Sequence, residues 1–314
     1  MTTLSIEELS VEYQLRNKTV HAVDGVSFSL ENNESLGIVG ESACGKSTLG
    51  LAIIRSVPGG RIVKGDMVLD GKSILKISEE EFAKTVRWKK ISMVFQGAMN
   101  SLDPVFSIKQ QFEEILRAHN YSGDHLKTIN DAIGSVGLPS TVLGKFPHEL
   151  SGGMKQRVVI AMALILQPNL VIADEPTTAL DVLVQAQIMS LLKKLKKEGM
   201  SLVLISHDLG IISEIADKVG IMYAGKMVEF GTLQEVYSNP KHPYTQALLK
   251  SMPKIRGDAE LISLKGTPPN LSDIPVGCRF YDRCAHAMEK CRKEPPKIKT
   301  KSGHVLCWLY DYNK

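Results

Sequence analysis

Val39-Gly40-Glu41-Ser42-Ala43-Cys44-Gly45-Lys46-Ser47-Thr48 is the stretch on which the reading of this chain turns. Ser35 to Val39 is a short apolar run of strand character, and the residues from Lys46 onward have helical character. The loop between them fits G-x-x-x-x-G-K-[ST], the pattern of a phosphate cradle. Gly40 and Gly45 let the backbone N–H groups of Glu41, Ser42, Ala43 and Cys44 turn inward, and the following helix adds its positive N-terminal end. Lys46 supplies a point charge for the terminal phosphates, Ser47 a hydroxyl for Mg²⁺, and Thr48 a further phosphate hydrogen bond. A glycine-rich turn alone says little. Strand before, helix behind and Lys-Ser at the junction make it specific.

Downstream, Leu170-Val-Ile-Ala-Asp174-Glu175 is a continuous apolar run ending in two acids, and Ser201 to Ile205 is another, ending in Ser206-His207. Such runs suit strands buried on both faces of a mainly parallel sheet. Alone, an acid after an apolar run is often only a strand terminus. Behind a phosphate loop, Asp174 reads as a Mg²⁺ carboxylate, Glu175 as the group that polarises the attacking water, and His207 as a contact to the terminal phosphate. Phosphoryl transfer needs positioning and charge neutralisation, which these groups supply.

Around this frame, residues 1–40 alternate like strands, with Leu4, Ile6, Leu9 and Val11 on one side and a turn at Glu31 to Glu34. Residues 78–90 read as a charged helix carrying Phe82, Val86 and Trp88, and Met93 to Phe95 as a strand. Residues 105–150 read as mostly helical, broken by Gly134, Gly137-Leu138-Pro139 and Pro147. Ile188, Leu191, Leu192 and Leu195 give a helix an apolar stripe, with Lys193, Lys194, Lys196 and Lys197 outward. Gly220 to Gly231 reads as a hairpin, and the proline-marked stretch 252–276 as a linker.

The chain has 314 residues, 43% hydrophobic and 23% charged, enough to bury a core. Lys+Arg 38 against Asp+Glu 34 leaves +4, too mild a charge to indicate nucleic acid. The longest apolar run, Val158 to Leu166, falls short of the roughly 18–20 residues of a membrane span. No signal-peptide pattern opens the chain, so a cytosolic location is expected, with any membrane role exerted through a partner. Of five cysteines, Cys44 stands alone, while Cys278, Cys284, Cys291 and Cys307 crowd the tail. In a reducing compartment four clustered thiols read as metal or cluster ligands rather than disulfides.

Leu150-Ser151-Gly152-Gly153-Met154-Lys155-Gln156-Arg157, about twenty residues before Glu175, resembles the signature motif of the ATP-binding cassette (ABC) family. In that family it is an anion cradle that binds the nucleotide held by a second subunit, which implies a dimer with two composite sites. The resemblance assigns Tyr13 to adenine stacking, Gln96 to sensing Mg²⁺ and water, Ser151, Gly152, Gly153 and Gln156 to the partner's nucleotide, Ala179-Leu180-Asp181 to the dimer seam and His207 to the switch histidine. It covers about residues 1–250. It implies an α/β fold: a P-loop ABC ATPase core with an N-terminal antiparallel β subdomain, a helical signature subdomain at about 97–157, and, at 251–314, a linker and small cysteine-rich extension. Two positions depart from the family pattern, Ala43 for a usual Gly and Ala98 for a frequent Pro.

Asn239-Pro-Lys-His242-Pro-Tyr-Thr245 and Pro275-Val-Gly-Cys278-Arg-Phe-Tyr-Asp-Arg283-Cys284 look like the oligopeptide/dipeptide importer subfamily, some members of which hold an iron–sulfur cluster on four cysteines. The spacing C-x5-C-x6-C-x15-C lacks the paired knuckles of zinc sites, which favours [4Fe–4S] over Zn²⁺ on Cys278, Cys284, Cys291 and Cys307. The implied function is an ATP-hydrolysing importer subunit at the cytoplasmic face of the membrane, binding ATP and Mg²⁺. Its partners would be an identical or paralogous ATPase subunit, two membrane permease subunits and, indirectly, an extracytoplasmic substrate-binding protein, with no nucleic acid. The competing expectations are an importer ATPase for oligosaccharides or metal, and a soluble ABC-type ATPase acting on nucleic acid or ribosomes. The roughly hundred residues between loop and signature leave no room for the long coiled coil of the chromosome-type members. A nucleotide-binding module without hydrolysis is disfavoured by the complete set of catalytic residues.

Overall fold

A computed structural model describes residues 2–97, 101–178, 180–251 and 266–311. Along the chain run β1 (Thr2–Leu15), β2 (Lys18–Glu31), β3 (Ser35–Val39), α1 (Lys46–Ile53), β4 (Gly60–Leu69), β5 (Lys72–Ser73), α2 (Glu79–Thr85), β6 (Ile91–Val94), α3 (Ile108–Ala118), α4 (His125–Ser135), α5 (Gly152–Leu164) and β7 (Leu170–Asp174). They are followed by α6 (Val182–Lys197), β8 (Ser201–Ser206), α7 (Leu209–Ser213), β9 (Lys218–Tyr223), β10 (Lys226–Thr232), α8 (Leu233–Ser238), α9 (Pro243–Lys250), β11 (Lys297–Lys299) and β12 (His304–Leu306). Two compact units form: Met1–Ser73 with Leu204–Lys314, and Ile74–Val203.

The first unit carries an antiparallel sheet in the order β2-β1-β4-β5. Leu4, Ile6, Leu9 and Val11 are all buried, although their spacing is not strictly two. The register of β1 on β2 shifts between Ile6 and Leu9, and Glu8 sits at φ 47. A β-bulge absorbs the extra residue and returns Leu9 to the core face. The unit's second set of strands runs β11-β12-β10-β9-β3. β3 is fully buried and pairs parallel with β9, and β9 pairs antiparallel with β10. The hairpin expected at 220–231 is present. Its turn residues Ala224 (φ 46) and Gly225 (φ 86) both adopt positive φ, as a tight two-residue turn requires. The tail then adds a strand that sequence patterning does not reveal: β12 pairs with β10 through Glu229–Val305 and Phe230–His304. His304 is 8% exposed, its ring 5.8 Å from that of Phe230.

In the second unit β6 and β7 pair parallel. The helical reading of 105–150 holds in α3 and α4, each capped by a side chain: Ser107 in a capping box with Gln110, and Asp124 on the Lys127 N–H. Gly134 does not break the helix; it lies in the last turn of α4, and the break comes at Gly137, φ 72. The charged helix expected over 78–90 is shorter. Ser78 caps it, but it stops at Thr85: the Arg87 N–H reaches back to the Phe82 carbonyl, which already accepts the helical bond from Val86 N–H, and Trp88 then takes φ 66. The strand expected to reach Phe95 ends at Val94, and Phe95 is exposed. Most of the expected linker, residues 252–265, lies outside the described residues, as do Ala98 and Ala179. Among the described residues no helix is long and apolar enough to cross a membrane.

Candidate functional site

Tyr13, the loop 40–48 and His207 belong to the first unit; Gln96, Ser151–Gln156, Asp174, Glu175 and Asp181 belong to the second. In the first unit, β3 delivers the chain into the phosphate loop and α1 leaves it. Gly45 precedes α1 at φ 101 with no side-chain cap, so the first-turn N–H groups are left for an anion. Both loop glycines are also steric necessities. A Cβ on Gly40 would lie 2.1 Å from the Met222 carbonyl oxygen, and one on Gly45 2.0 Å from that of Ala22. Lys46, only 6% exposed, donates from Nζ to the carbonyls of Gly40 and Glu41, each at 2.9 Å, and so is held over the loop. Ser47 and Thr48 are half-buried in the first turn of α1, while Ser42 and Ala43 are exposed.

Ala43 occupies φ 61, the left-handed region in which glycine is the unstrained residue. The loop accepts this strain, which is on the order of 1–2 kcal/mol. Burial pushes the Cys44 thiol above its ordinary range, so it stays protonated; its carbonyl accepts from Gly225 N–H at 2.9 Å. Tyr13 packs against Gly60, with its hydroxyl 3.3 Å from Thr48 Oγ1. His207 is exposed just beyond β8, where Ser206 Oγ accepts from Asp208 N–H.

In the second unit, β7 carries Asp174 at its C-terminal end, 2% exposed. Glu175 follows at φ 46, a constrained backbone for a non-glycine residue. Its Oε2 accepts from Gln96 Nε2 at 3.1 Å and from Thr178 Oγ1 at 2.9 Å. The structure thus brings together two residues 79 apart in sequence that the sequence singled out separately. A carboxylate so held has a fixed face for an incoming water. Ser151 caps α5, accepting from Met154 N–H at 3.3 Å, and Asp181 caps α6, accepting from Val184 N–H at 2.9 Å. Gly153 is tight: an added Cβ would meet Val184 Cγ1 at 2.7 Å. Gln156 is buried, whereas Ser151 and Gly152 are exposed.

In the tail, Cys278, Cys284, Cys291 and Cys307 line one small apolar cavity with Phe280, Tyr281 and Trp308, and none is in a disulfide. Burial pushes the thiols of Cys278 and Cys307 up to about 11, with neighbouring thiols adding to it. Among the described residues no three His, Cys, Asp or Glu side chains are arranged to hold a single metal ion.

Sequence reasoning did not find the residues that join this tail to the phosphate loop. Arg283 forms an ion pair with Glu41 at 3.0 Å, and Tyr244 receives the Glu41 N–H at 3.0 Å. The available signal was Arg279 and Arg283 standing directly beside two of the clustered cysteines.

The profile of the family described as "ABC transporter" matches residues 23–178, and that described as "Oligopeptide/dipeptide transporter, C-terminal region" matches residues 228–291. The chain is 42% identical to the dipeptide transport ATP-binding protein DppD of Caldanaerobacter subterraneus subsp. tengcongensis over 98% of its own length and 97% of the relative's. It is 43% identical to the oligopeptide transport ATP-binding protein OppD of Bacillus subtilis over 98% of its length and 88% of the relative's. Among solved structures it resembles the dimeric ATP-binding cassette MJ0796 in a post-hydrolysis state bound to ADP and Pi, with TM-score 0.65 and 26% identity over 73% of this chain and 98% of that one. It also resembles cbiO1 of Clostridium perfringens, part of the ABC transporter complex cbiONQ, with TM-score 0.63 and 28% identity over 76% of this chain and 91% of that one.

Proposed function

We propose a function from one premise, that the chain belongs to the ABC transporter family: it is the ATP-hydrolysing subunit of an importer for dipeptides or oligopeptides. The peptide substrate rests on the named relatives and on the match of residues 228–291 to the peptide-transporter C-terminal region. In this reading the loop 40–48 binds the triphosphate, with Lys46 on its terminal phosphates and Tyr13 against the base. Ser47 and Asp174 are the oxygen donors that would hold Mg²⁺, and the ion would supply neutralisation of phosphate charge. Glu175 takes the proton of the attacking water and Gln96 fixes its carboxylate. His207 contacts the terminal phosphate. Ser151, Gly152, Gly153, Gln156 and Asp181 face the nucleotide of a second ATPase subunit, identical or paralogous. ATP closes the pair, closure drives two membrane permease subunits, and hydrolysis reopens it. A substrate-binding protein outside the membrane selects the cargo, and the chain works at the cytoplasmic membrane face through its docking to the permeases.

The observation that carries the catalytic assignment is the Gln96–Glu175 hydrogen bond at 3.1 Å beside the buried Asp174. Glu175→Gln in the assembled transporter should lower ATP turnover by at least about 100-fold while ATP still binds. Wild-type turnover in that variant would refute the assignment. We also propose that Cys278, Cys284, Cys291 and Cys307 hold a [4Fe–4S] cluster as a staple of the tail. Iron and acid-labile sulfide in anaerobically purified protein would support it; zinc, or no metal, would refute it.

A further inference from the structure

The phosphate loop carries a charge of the wrong sign. Glu41 lies between Gly40 and Ser42, inside the loop read here as the seat of a polyanionic triphosphate. A carboxylate at that position opposes binding unless a cation offsets it. Arg283, 242 residues away, donates from Nη1 to Glu41 Oε2 and from Nη2 to Glu41 Oε1, both at 3.0 Å. This is the two-bond fork that makes guanidinium–carboxylate pairs strong and directional. The arginine side chain is 6% exposed, so the pair is shielded from salt on that side. Nη1 also donates to the Tyr223 hydroxyl at 3.2 Å, and the guanidinium lies 5.7 Å from the Tyr223 ring centroid and 5.8 Å from that of Phe280. The fork therefore cannot swing away without leaving an aromatic seat.

The same loop residue is held a second time, through its backbone N–H on the Tyr244 hydroxyl. Tyr244 is fully buried against Tyr223, centroids 4.6 Å apart, and against Phe280, 5.4 Å apart. A second arginine reinforces the arrangement. Arg279 donates to the Ala224 carbonyl and to the Asp24 carboxylate, gripping the β9–β10 turn, and the next turn residue, Gly225, donates its N–H to Cys44 in the loop. Arg279 directly follows Cys278, and Arg283 directly precedes Cys284. Two of the clustered cysteines thus each have a neighbour that reaches the phosphate loop or the turn bonded to it.

We propose that Arg283 is a positioning residue for nucleotide binding: it neutralises Glu41 within the phosphate loop and makes ATP affinity depend on the folded cysteine-rich tail. The inference rests on the reading of residues 40–48 as the ATP loop. Its test is equilibrium binding of Mg-ATP to the full chain, purified anaerobically, at low and high salt, with melting temperature and iron content followed in each variant. Arg283→Met should weaken ATP binding about tenfold, because Glu41 is then left uncompensated in the loop. Adding Glu41→Gln to Arg283→Met should restore affinity to within about threefold of wild type, since the repulsion goes with the charge. Arg283→Lys, which keeps the charge but not the fork, should fall between wild type and Arg283→Met, and it carries the test if the methionine variant does not fold. A residue that merely packs would give no rescue. Wild-type affinity in Arg283→Met, or a double variant no tighter than Arg283→Met, would overturn the proposal. Absence of ATP binding by the wild-type chain would instead overturn the reading on which it rests.

Discussion

Lowering the pH from 7 to 5 should cost stability at His304, one of two buried histidines that burial holds neutral, His242 being the other, and the size of its share follows from where it sits. His304 lies on β12, the strand that extends β10, and is 8% exposed. Burial, with the nearby Lys297 charge adding to it, pushes its folded pKa down to about 4; a hydrogen bond to the Met227 backbone and the charge of Glu8 work weakly the other way. In the unfolded chain the value is about 6.5. Above that pH both states are neutral and the residue contributes no slope. Below it the unfolded chain takes up a proton that the folded chain refuses, so stability falls with pH until the folded value is reached. Over pH 7 to 5 this amounts to about 1.4 logarithmic units, or about 2 kcal/mol. Urea unfolding at pH 7, 6 and 5 on wild type and His304→Gln measures it. The wild type should lose about 2 kcal/mol more than the variant across that range, with most of the difference below pH 6.5. Parallel pH dependence in the two proteins would show that His304 is not held neutral by burial, and the reasoning would fail.

Three other outcomes are expected. Gly153→Ala should place a methyl 2.7 Å from Val184 Cγ1, and a β-branched valine on a helix cannot turn aside; the cost should be about 1–3 kcal/mol in urea unfolding, with ATP turnover lost while ATP binding is kept. Ala43→Gly should relieve the φ 61 backbone and raise stability by about 1 kcal/mol in thermal unfolding, an unchanged midpoint counting against strain there. Lys46→Ala should abolish ATP binding measured by equilibrium titration, since the ammonium held over the Gly40 and Glu41 carbonyls is the loop's own cation.

What the sequence made legible is what local chemistry decides. The strand, glycine loop and helix over residues 35–53 could be read because the glycines are forced by close backbone approach, at Gly40 to Met222 and at Gly45 to Ala22. The β9–β10 hairpin could be read because Ala224-Gly225 is a turn pair. The misjudged places are those where tertiary geometry overrides a local pattern. Trp88 looked like a residue of a charged helix but lies beyond its end at positive φ, its ring stacked 5.7 Å from His119, a contact no helical wheel contains. Strand β12 is three residues long, too short to show alternation, and exists because β10 offers it an edge.

The ion pair of Glu41 and Arg283 marks the limit most sharply. Each residue in sequence is one more charge among those of a 23% charged chain, and nothing local distinguishes a solvated arginine from one that is 6% exposed. The chain also reads as a cassette followed by an appended extension. Yet Leu204–Lys314 packs with Met1–Ser73, β12 covers the edge of β10, and Arg279 and Arg283 hold the β9–β10 turn and the phosphate loop. A cut placed after the last motif would uncover a strand edge and leave Glu41 without its partner. The loop at residues 40–48 is therefore braced by residues from the far end of the sequence, and the cysteine-rich tail belongs to its support.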